Sequence, residues 1–329
     1  MTDQTEIALV SVDLEGVRTA AARLSGLLHL TPVLTSRSVD LRSGRQLFLK
    51  CENLQRTGSF KLRGALNAVL NLKPDLADRG VLTASSGNFA QGLAWAARHR
   101  CVSAHVVMPT DVPKVKRDAV EALGAIIHTC EPTPMADRDR VCKEVCDETG
   151  VTFISPHDHP DVIAGQGTIA LELLDQVAAL DAIVASVGGG GLVSGIAVAA
   201  KALRPAIRVI GAEPDGAADA ARSKAEGRLL SEANPRSIAK GLLVGLGEST
   251  WCIIRDLVDE VITVDDDATV RAMRLVWERM KIIIEPSAAV AVAAALSPAF
   301  RERVELGRVA VVLSGGNVDL DDLPWHALI

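Results

Sequence analysis

The sequence of 329 residues contains no tyrosine, and aromatic residues amount to only 3% of it. A close-packed core must therefore be built from aliphatic side chains and alanine, in keeping with a hydrophobic share of 48%. No uninterrupted apolar run approaches the roughly 20 residues that a membrane span needs. The N-terminal stretch has no basic segment followed by an apolar one, so no signal peptide is visible. We expect a cytoplasmic globular protein with no membrane partner.

Positive charge and paired cysteines are also scarce. The formal net charge is -6, which argues against a nucleic-acid partner. None of the six cysteines forms a CxxC pair. Cys142 and Cys146 stand four residues apart on a predicted helix, with no histidine or acidic partner at metal-ligand spacing. This pattern predicts reduced thiols rather than disulfides or a zinc site.

What the sequence does have is a regular alternation of strand-like and helix-like segments. Apolar runs such as GVLTA, SAHVVMP, DAIVASV and IRVIGAEP are separated by helical stretches. This β-α-β rhythm predicts an α/β fold with mainly parallel sheets covered by helices. Two doubly wound lobes explain it better than one very wide sheet. We expect a small domain over residues 71–154 and a large domain over residues 1–70 and 155–329.

The strongest local signal is a run of four glycines, Gly188, Gly189, Gly190 and Gly191, between an apolar strand and an alanine-rich helix. Glycine lets the backbone approach a ligand closely, and the N–H groups at a helix start favour a phosphate. A sterically required tight turn is the alternative, but four consecutive glycines exceed what such a turn needs. The run is neither a Walker A loop nor a GxGxxG fingerprint, so it indicates phosphate binding of another kind.

Three further motifs stand at predicted strand ends or helix starts: TGSFKLRG at 57–64, SSGN at 85–88 and SGGN at 314–317. Alone, Lys61 in the first motif reads as a surface lysine. A lysine amine of lowered pKa can, however, form an imine with a carbonyl cofactor. Because a phosphate-binding loop is predicted elsewhere in the chain, Lys61 becomes a candidate for such an imine. The SSGN residues are either helix caps or donors to a substrate carboxylate, and SGGN is either a turn or a ligand loop.

Together, TGSFKLRGA, SSGNFAQG, VGGGG and LSGGN, in this order and spacing, resemble the fold type II enzymes that use pyridoxal phosphate, the tryptophan synthase β-like group. Within that group the sequence resembles the serine/threonine dehydratase and serine racemase family, also through VIAGQGTIALELL and IIEPSAA. The resemblance extends from Leu30 to Leu320.

The resemblance implies specific roles. Lys61 would hold the cofactor as a Schiff base and move the Cα proton of the substrate. Ser85, Ser86 and Asn88 would hold the substrate carboxylate. The other cofactor contacts would be Phe60 beside the ring, Asn88 at its 3-hydroxyl, Gly188, Gly189, Gly190 and Gly191 at the phosphate, Ser314 at the pyridine nitrogen, and Gly241 and Glu285 at the remaining edges.

The reaction implied first is β-elimination. A serine at the pyridine nitrogen does not enforce its protonation, so the ring is a mild electron sink and loss of a β-hydroxyl competes well. We therefore expect an ammonia-lyase (dehydratase) that converts L-threonine or L-serine to a 2-oxo acid and ammonia. The alternatives are a serine racemase using Lys61 and Ser86, a dehydratase of hydroxyaspartate or phenylserine, and a sensor that only binds the cofactor or an amino acid.

The resemblance also implies a divalent cation, Mg²⁺, Ca²⁺ or Mn²⁺. Glu213, the carbonyl of Ala217 and Asp219 match the pattern E-P-x-x-A-x-D, and hard cations prefer oxygen ligands. Two solvated acids in a loop are the alternative. Relatives of this kind are usually homodimers, which we expect here as well.

Two departures from the family pattern leave the identity of the substrate side chain undecided. Phe89 stands where the family usually has histidine, and His157 stands where other members carry phenylalanine or asparagine. We expect both residues beside the substrate, with His157 in place of the missing polar group.

Overall fold

The computed structural model describes residues 12–133 and 135–325. Its strands are short and apolar, as expected where helices cover both faces of a parallel sheet. In chain order the strands are β1 (Val33–Leu34), β2 (Gln46–Lys50), β3 (Val81–Ala84), β4 (Ala104–Pro109), β5 (Ile126–Cys130), β6 (Thr152–Phe153), β7 (Ala182–Ser186), β8 (Arg208–Pro214), β9 (Glu260–Val264) and β10 (Arg308–Val312).

The helices alternate with these strands through most of the chain. Within the described ranges, no helix is long and apolar enough to cross a membrane. They are α1 (Leu14–Leu24), α2 (Arg37–Ser43), α3 (Lys61–Asn71), α4 (Pro74–Ala77), α5 (Asn88–Arg100), α6 (Lys114–Glu121), α7 (Met135–Thr149), α8 (Pro160–Gln176), α9 (Gly191–Leu203), α10 (Asp219–Glu226), α11 (Glu248–Leu257), α12 (Asp266–Met280), α13 (Pro286–Leu296) and α14 (Pro298–Arg301).

The strands form two sheets, one in the order β1-β2-β10-β7-β8-β9 and one in the order β5-β4-β3-β6. Every neighbouring pair is parallel except β1 and β2, which pair antiparallel at one edge. The predicted α/β class with mainly parallel sheets is therefore confirmed. The smaller sheet uses residues 81–153, inside the predicted small domain, whose boundaries stay a prediction.

Alanine and aliphatic residues fill the core, as the scarcity of aromatics implied. Helix α13 is buried all round from Ser287 to Ala295 and packs against β7, β8, β9 and β10. A helix that is apolar on every face is stable only in such an interior position. It packs on the strands of the larger sheet after which Gly188, Gly189, Gly190, Gly191 and Ser314 stand.

Close helix contacts connect the lysine helix α3 to the glycine-loop helix α9 through α8. A Cβ on Gly165 of α8 would lie 2.6 Å from the carbonyl oxygen of Arg63 in α3. A Cβ on Gly195 of α9 would lie 2.2 Å from the carbonyl oxygen of Ile163 in α8. Both separations are shorter than any side chain tolerates, so glycine is required for these helices to pack this closely. The starts of α3 and α9 are thereby held in a fixed relation.

Candidate active site

Lys61 is the first residue of α3, and the C-terminal motif fixes the segment before it. The backbone N–H of Phe60 donates to the carbonyl of Ser314 over 3.0 Å. Ser59 and Gly315 form an isolated antiparallel bridge beside this bond. The fold thus brings together three predicted cofactor residues, Phe60, Lys61 and Ser314. Lys61 and Ser314 are 253 positions apart in the sequence.

The Lys61 amine lies among apolar rings rather than in water. Its Nζ donates to the carbonyl of Pro156 over 2.9 Å. It is 5.1 Å from the ring centroid of Phe60 and 5.7 Å from that of Phe89. Burial lowers the pKa of Lys61 to about 8, although the Glu285 carboxylate acts in the opposite direction. Near neutral pH such an amine is neutral far more often than an ordinary lysine, so it is more often available to attack a carbonyl or to accept a proton.

The four glycines form the turn from β7 into α9. Gly190 has a left-handed φ of 86°, and Gly191 opens the helix. The first N–H groups of a helix have no acceptor inside it, and the helix dipole adds partial positive charge there. A Cβ on Gly189 would lie 2.2 Å from Cγ of His157, so a side chain would not fit. The loop presents backbone donors alone, as a phosphate site requires.

Two residues that the sequence analysis missed hold this loop in place. Oδ1 of Asp158 accepts from the backbone N–H groups of Ser249 and Thr250, both over 3.1 Å, at the start of α11. The Thr250 hydroxyl donates to the carbonyl of Gly189 over 2.9 Å. Asp158 lies 91 and 92 positions from its partners. No local pattern could have indicated that pairing.

His157 lies between Lys61 and the glycine loop. Its ring packs against Gly189, and its backbone packs against Gly191. Nδ1 is buried and has no hydrogen-bond partner among the residues that the structure describes. Burial, assisted by the positive charge of Lys61, lowers the pKa of His157 to about 4. The imidazole is therefore neutral at physiological pH, with one nitrogen free to donate or accept.

Asn88 and Glu285 contact each other directly. Asn88 opens α5, and its Nδ2 donates to Oε1 of Glu285 over 2.8 Å. Burial raises the pKa of Glu285 to about 7, although the bond from Asn88 opposes the shift. Phe89, the next residue of α5, is 1% exposed and packs into the core beside Lys61.

The remaining predicted cofactor residues lie close to those already described. Ser314 is buried where β10 ends. The backbone N–H of Gly241 donates to the Ser287 hydroxyl over 3.2 Å. The Gly241 carbonyl oxygen would be 3.3 Å from a Cβ on Gly188, so Gly241 lies directly against the glycine loop.

Ser85 and Ser86 form the loop between β3 and α5. The backbone N–H of Ser85 donates to the carbonyl of Val107 over 3.1 Å, and the Ser85 hydroxyl accepts from the N–H of Gly87 over 3.3 Å. Helix α5 packs tightly on α3, since a Cβ on Gly92 would lie 3.3 Å from Cα of Leu62. The serine loop therefore stands at the start of α5, next to the start of α3.

The predicted metal residues lie at a separate place, where β8 ends and α10 begins. The two carboxylate oxygens of Glu213 accept from the N–H groups of Ala220 (3.0 Å) and Ala221 (2.9 Å). Asp219 accepts from the N–H of Leu246 over 3.3 Å. Burial raises the pKa of Glu213 to about 8 and also raises the pKa of Asp219. Ala217 lies buried in the turn between them.

Comparison with known proteins decides the family. Residues 24–315 match the family model described as pyridoxal-phosphate dependent enzyme. The chain belongs to this family. Its site fits the cofactor: the glycine loop leaves room only for a ligand beside the backbone, and the Lys61 amine has the lowered pKa that attachment to an aldehyde requires. A search of curated proteins finds human serine racemase 48% identical, covering 94% of this chain and 92% of that one.

Solved structures give the same picture. Maize serine racemase has a TM-score of 0.93 and 43% identity, covering 96% of this chain and 97% of that chain. A pyridoxal 5'-phosphate-dependent aspartate racemase has a TM-score of 0.91 and 44% identity, covering 96% and 98%. The resemblance to the serine/threonine dehydratase and serine racemase family is thereby confirmed.

The expectation that this chain is first of all a dehydratase is wrong. Curated relatives that are 44–48% identical over 94–97% of this chain are serine racemases. A serine at the position of Ser314 does not separate the two reactions, because both begin with loss of the Cα proton and both need an electron sink. They differ in whether a second acid/base group serves the opposite face, which directs attention to Ser86.

Proposed function

We propose that this family member is an amino-acid racemase that inverts the Cα of serine, with Lys61 and Ser86 as its two acid/base groups. The observation that carries the proposal is the close packing of α3 on α5. Helix α3 starts at Lys61, and α5 starts just after Ser86. The near full-length similarity to serine racemases supports the same reaction. Racemisation needs two groups that exchange a proton with Cα from opposite faces.

Pyridoxal phosphate, when bound, supplies the electron sink that makes the Cα proton of an attached amino acid removable. Lys61, with its pKa lowered to about 8, can hold or release a proton at Nζ near neutral pH. Ser86 is a weak base, but it stands two positions before the first residue of α5. The positive end of that helix dipole stabilises negative charge on its oxygen. One group takes the proton from Cα, and the other returns one to the opposite face.

Substrate binding is assigned to the same helix start. In our proposal the α-carboxylate lies at the N-terminus of α5, against Ser85, Ser86 and Asn88, because helix N-termini favour anions. The neutral His157 faces the side chain of the substrate, whereas Phe89 packs into the core beside Lys61. A neutral hydrogen-bonding group suits a hydroxymethyl side chain, whereas aspartate would bring a second negative charge to this place.

The test is to give the purified, cofactor-loaded protein L-serine in deuterated water and to follow D-serine and deuterium at Cα. We expect D-serine to form. Ser86→Ala should lose inversion while Cα exchange survives for one enantiomer only, since Lys61 still serves one face. Ser231→Ala, an exposed serine, is the matched control.

Aspartate belongs in the same assay as the competing substrate. Formation of D-aspartate without D-serine would overturn the choice of serine but not racemisation. Release of a 2-oxo acid with no inversion of any amino acid would overturn racemisation itself. Lys61→Ala should lose the visible absorbance of the lysine-bound cofactor, which tests whether Lys61 is the residue of attachment.

We further propose that Glu213, Asp219 and the Ala217 carbonyl bind one divalent cation, Mg²⁺, Ca²⁺ or Mn²⁺. Two buried carboxylates with raised pKa values lie here, and a cation would restore their charged form. In the described part of the chain no group of three or more His, Cys, Asp or Glu residues is arranged for a metal. Water would therefore complete the coordination. Each cation should raise the melting temperature of the wild type but not of Glu213→Gln.

We also infer a cytoplasmic homodimer. The six cysteines are unpaired, which suits a reducing compartment. Leu30, Leu54 and Ile283 are 68%, 45% and 46% exposed. They are neighbours, because His29 contacts the Leu54 carbonyl and Asn53 contacts the Ile283 carbonyl. An exposed apolar patch of this kind favours association. Light scattering of the wild type and of Leu30→Glu measures whether a dimer forms there.

A further inference from the structure

Asn317 ends the LSGGN motif, and the chemistry described so far gives it no part. Asn317 is exposed and lies in the loop that follows β10. Nδ2 donates to the carbonyl of Thr57 over 2.8 Å and to Oδ1 of Asn88 over 2.9 Å. A primary amide nitrogen carries two hydrogens, so both are used. One side chain therefore joins the turn before Lys61 to the start of α5.

The bond to Asn88 fixes the orientation of that amide. Oδ1 of Asn88 accepts from Asn317, while Nδ2 donates to Oε1 of Glu285 over 2.8 Å. A flipped Asn88 would set its NH₂ against the NH₂ of Asn317 and its oxygen against the carboxylate. Both neighbours thus select the same orientation, which determines whether Asn88 offers a donor or an acceptor to the cofactor.

The bond to Thr57 supports a strained turn. Thr57 has φ of 63°, a left-handed conformation that is unfavourable for a β-branched residue. Gly58 follows with φ of 72°, and a Cβ there would lie 2.3 Å from Oδ1 of Asn317. The N–H of Gly316 donates to the carbonyl of Gly58 over 2.9 Å. Strained backbone persists only where surrounding contacts hold it, and Lys61 begins its helix three residues after Gly58.

We propose that Asn317 is a positioning residue for the cofactor site. Its amide sets the orientation of Asn88 and holds the turn that leads into Lys61, so that both residues meet the cofactor in one fixed geometry. The inference rests on the proposed role of Asn88 as a cofactor contact.

Asn317→Asp tests this with almost no change of shape, because it replaces the donor by a carboxylate facing two acceptors. We expect a changed visible absorbance band of the lysine-bound cofactor and weaker binding of pyridoxal phosphate to the apoprotein. We also expect kcat to fall about tenfold or more with little change in KM, since misplacement of reacting groups affects the chemical step. Asn317→Ala, which removes the side chain, should change the same properties in the same direction. Asn234→Asp, the same exchange at an exposed asparagine, should leave all of them unchanged.

A wild-type spectrum, cofactor affinity and kcat in Asn317→Asp would overturn the proposal. So would a lowered melting temperature as the only effect, because it would make Asn317 a structural residue alone. If the spectrum and cofactor affinity change while the wild type racemises no amino acid, the positioning role stands and the proposed reaction fails. The cofactor readouts therefore separate the two hypotheses.

Discussion

Arg63, two residues beyond Lys61, meets Glu52 edge to edge in the interior. Nε of Arg63 donates to one carboxylate oxygen over 2.7 Å and Nη2 to the other over 2.8 Å. Both side chains are fully buried. Arg63 also binds Glu172 of α8, which in turn binds Lys50 of β2. Burial alone would lower the pKa of Arg63, but the two carboxylates outweigh it and raise that pKa above its ordinary value.

Arg63→Met should therefore be strongly destabilising. Removing one partner of a buried pair leaves an uncompensated charge, at a cost of about 3–5 kcal/mol in the free energy of unfolding. Urea unfolding of the apoprotein measures the change. Lys114→Met, which breaks an exposed pair with Asp118, should cost below about 1 kcal/mol. Equal losses in the two variants would contradict this account of the network.

A second prediction concerns how Lys61 takes up the cofactor. Attack on the aldehyde needs the neutral amine, and the pKa of Lys61 is lowered from 10.5 to about 8. The rate of covalent attachment to the apoprotein should rise with pH and level off above about 8. Stopped-flow absorbance measures this profile.

Glu285→Gln tests the direction in which the Glu285 carboxylate shifts the pKa of Lys61. The Glu285 carboxylate raises the pKa of Lys61, so its removal should move the midpoint of the attachment profile to lower pH. Glu305→Gln, an exposed acid, is the control and should not move it. A midpoint that stays in place in Glu285→Gln would show that the carboxylate does not act on the amine.

The sequence predicted those features that depend on short stretches of consecutive residues. Central strands such as β7 are continuous apolar runs, and the motifs at 57–64, 85–88, 188–191 and 314–317 each stand at a strand end or helix start, as expected. Their convergence in one cleft follows from the rule that ligands lie at the carboxyl ends of parallel strands. The hydrogen bond from Phe60 to Ser314, which joins two of these motifs, agrees with that rule.

Other features could not be predicted because they join distant parts of the chain. Lys50 and Glu172 are 122 positions apart, and each reads alone as an ordinary surface charge. Asp158 contacts residues of another element and carries no signal of its own, and the motif that contains Asn317 does not indicate its bonds to Thr57 and Asn88. The short antiparallel edge strand β1 has only two residues, too few for a periodic pattern. The choice between elimination and inversion depends on the geometry around Cα, which composition does not record.

A third prediction concerns acid stability. His105 of β4 and His128 of β5 stack with ring centroids 5.2 Å apart, and their nitrogens Nδ1 and Nε2 are 2.9 Å apart. Burial lowers the pKa of both rings; the charge of His128 lowers that of His105 further, while Glu148 opposes the shift at His128. The folded protein therefore prefers both rings neutral, whereas the unfolded chain binds protons near the ordinary pKa of 6.5.

This contribution to stability is present above pH 6.5 and is lost as pH falls through the lowered pKa values. The contribution of this pair to the free energy of unfolding should fall between about pH 7.5 and about pH 5.5, and it is measured as the difference between the wild type and His128→Asn. His128→Asn, which does not titrate, should show a smaller drop. His99→Asn, at an exposed ring, should match the wild type. An unchanged slope in His128→Asn would remove the pair as the cause.

The last prediction concerns the packing of His157 on the glycine loop. Gly189→Ala would place a Cβ 2.2 Å from Cγ of the His157 ring and 2.6 Å from its Nδ1. Either the ring or the loop must move, so we expect pyridoxal phosphate to bind at least about tenfold more weakly, a loss of about 1.4 kcal/mol. Fluorescence titration of the apoprotein measures the affinity. Gly16→Ala, where the new Cβ meets only Asp13 at 3.4 Å, is the control. Adding His157→Ala to Gly189→Ala removes the colliding ring and should restore most of the lost affinity. A double variant as weak as Gly189→Ala would mean that the alanine disturbs the loop itself and not its contact with His157.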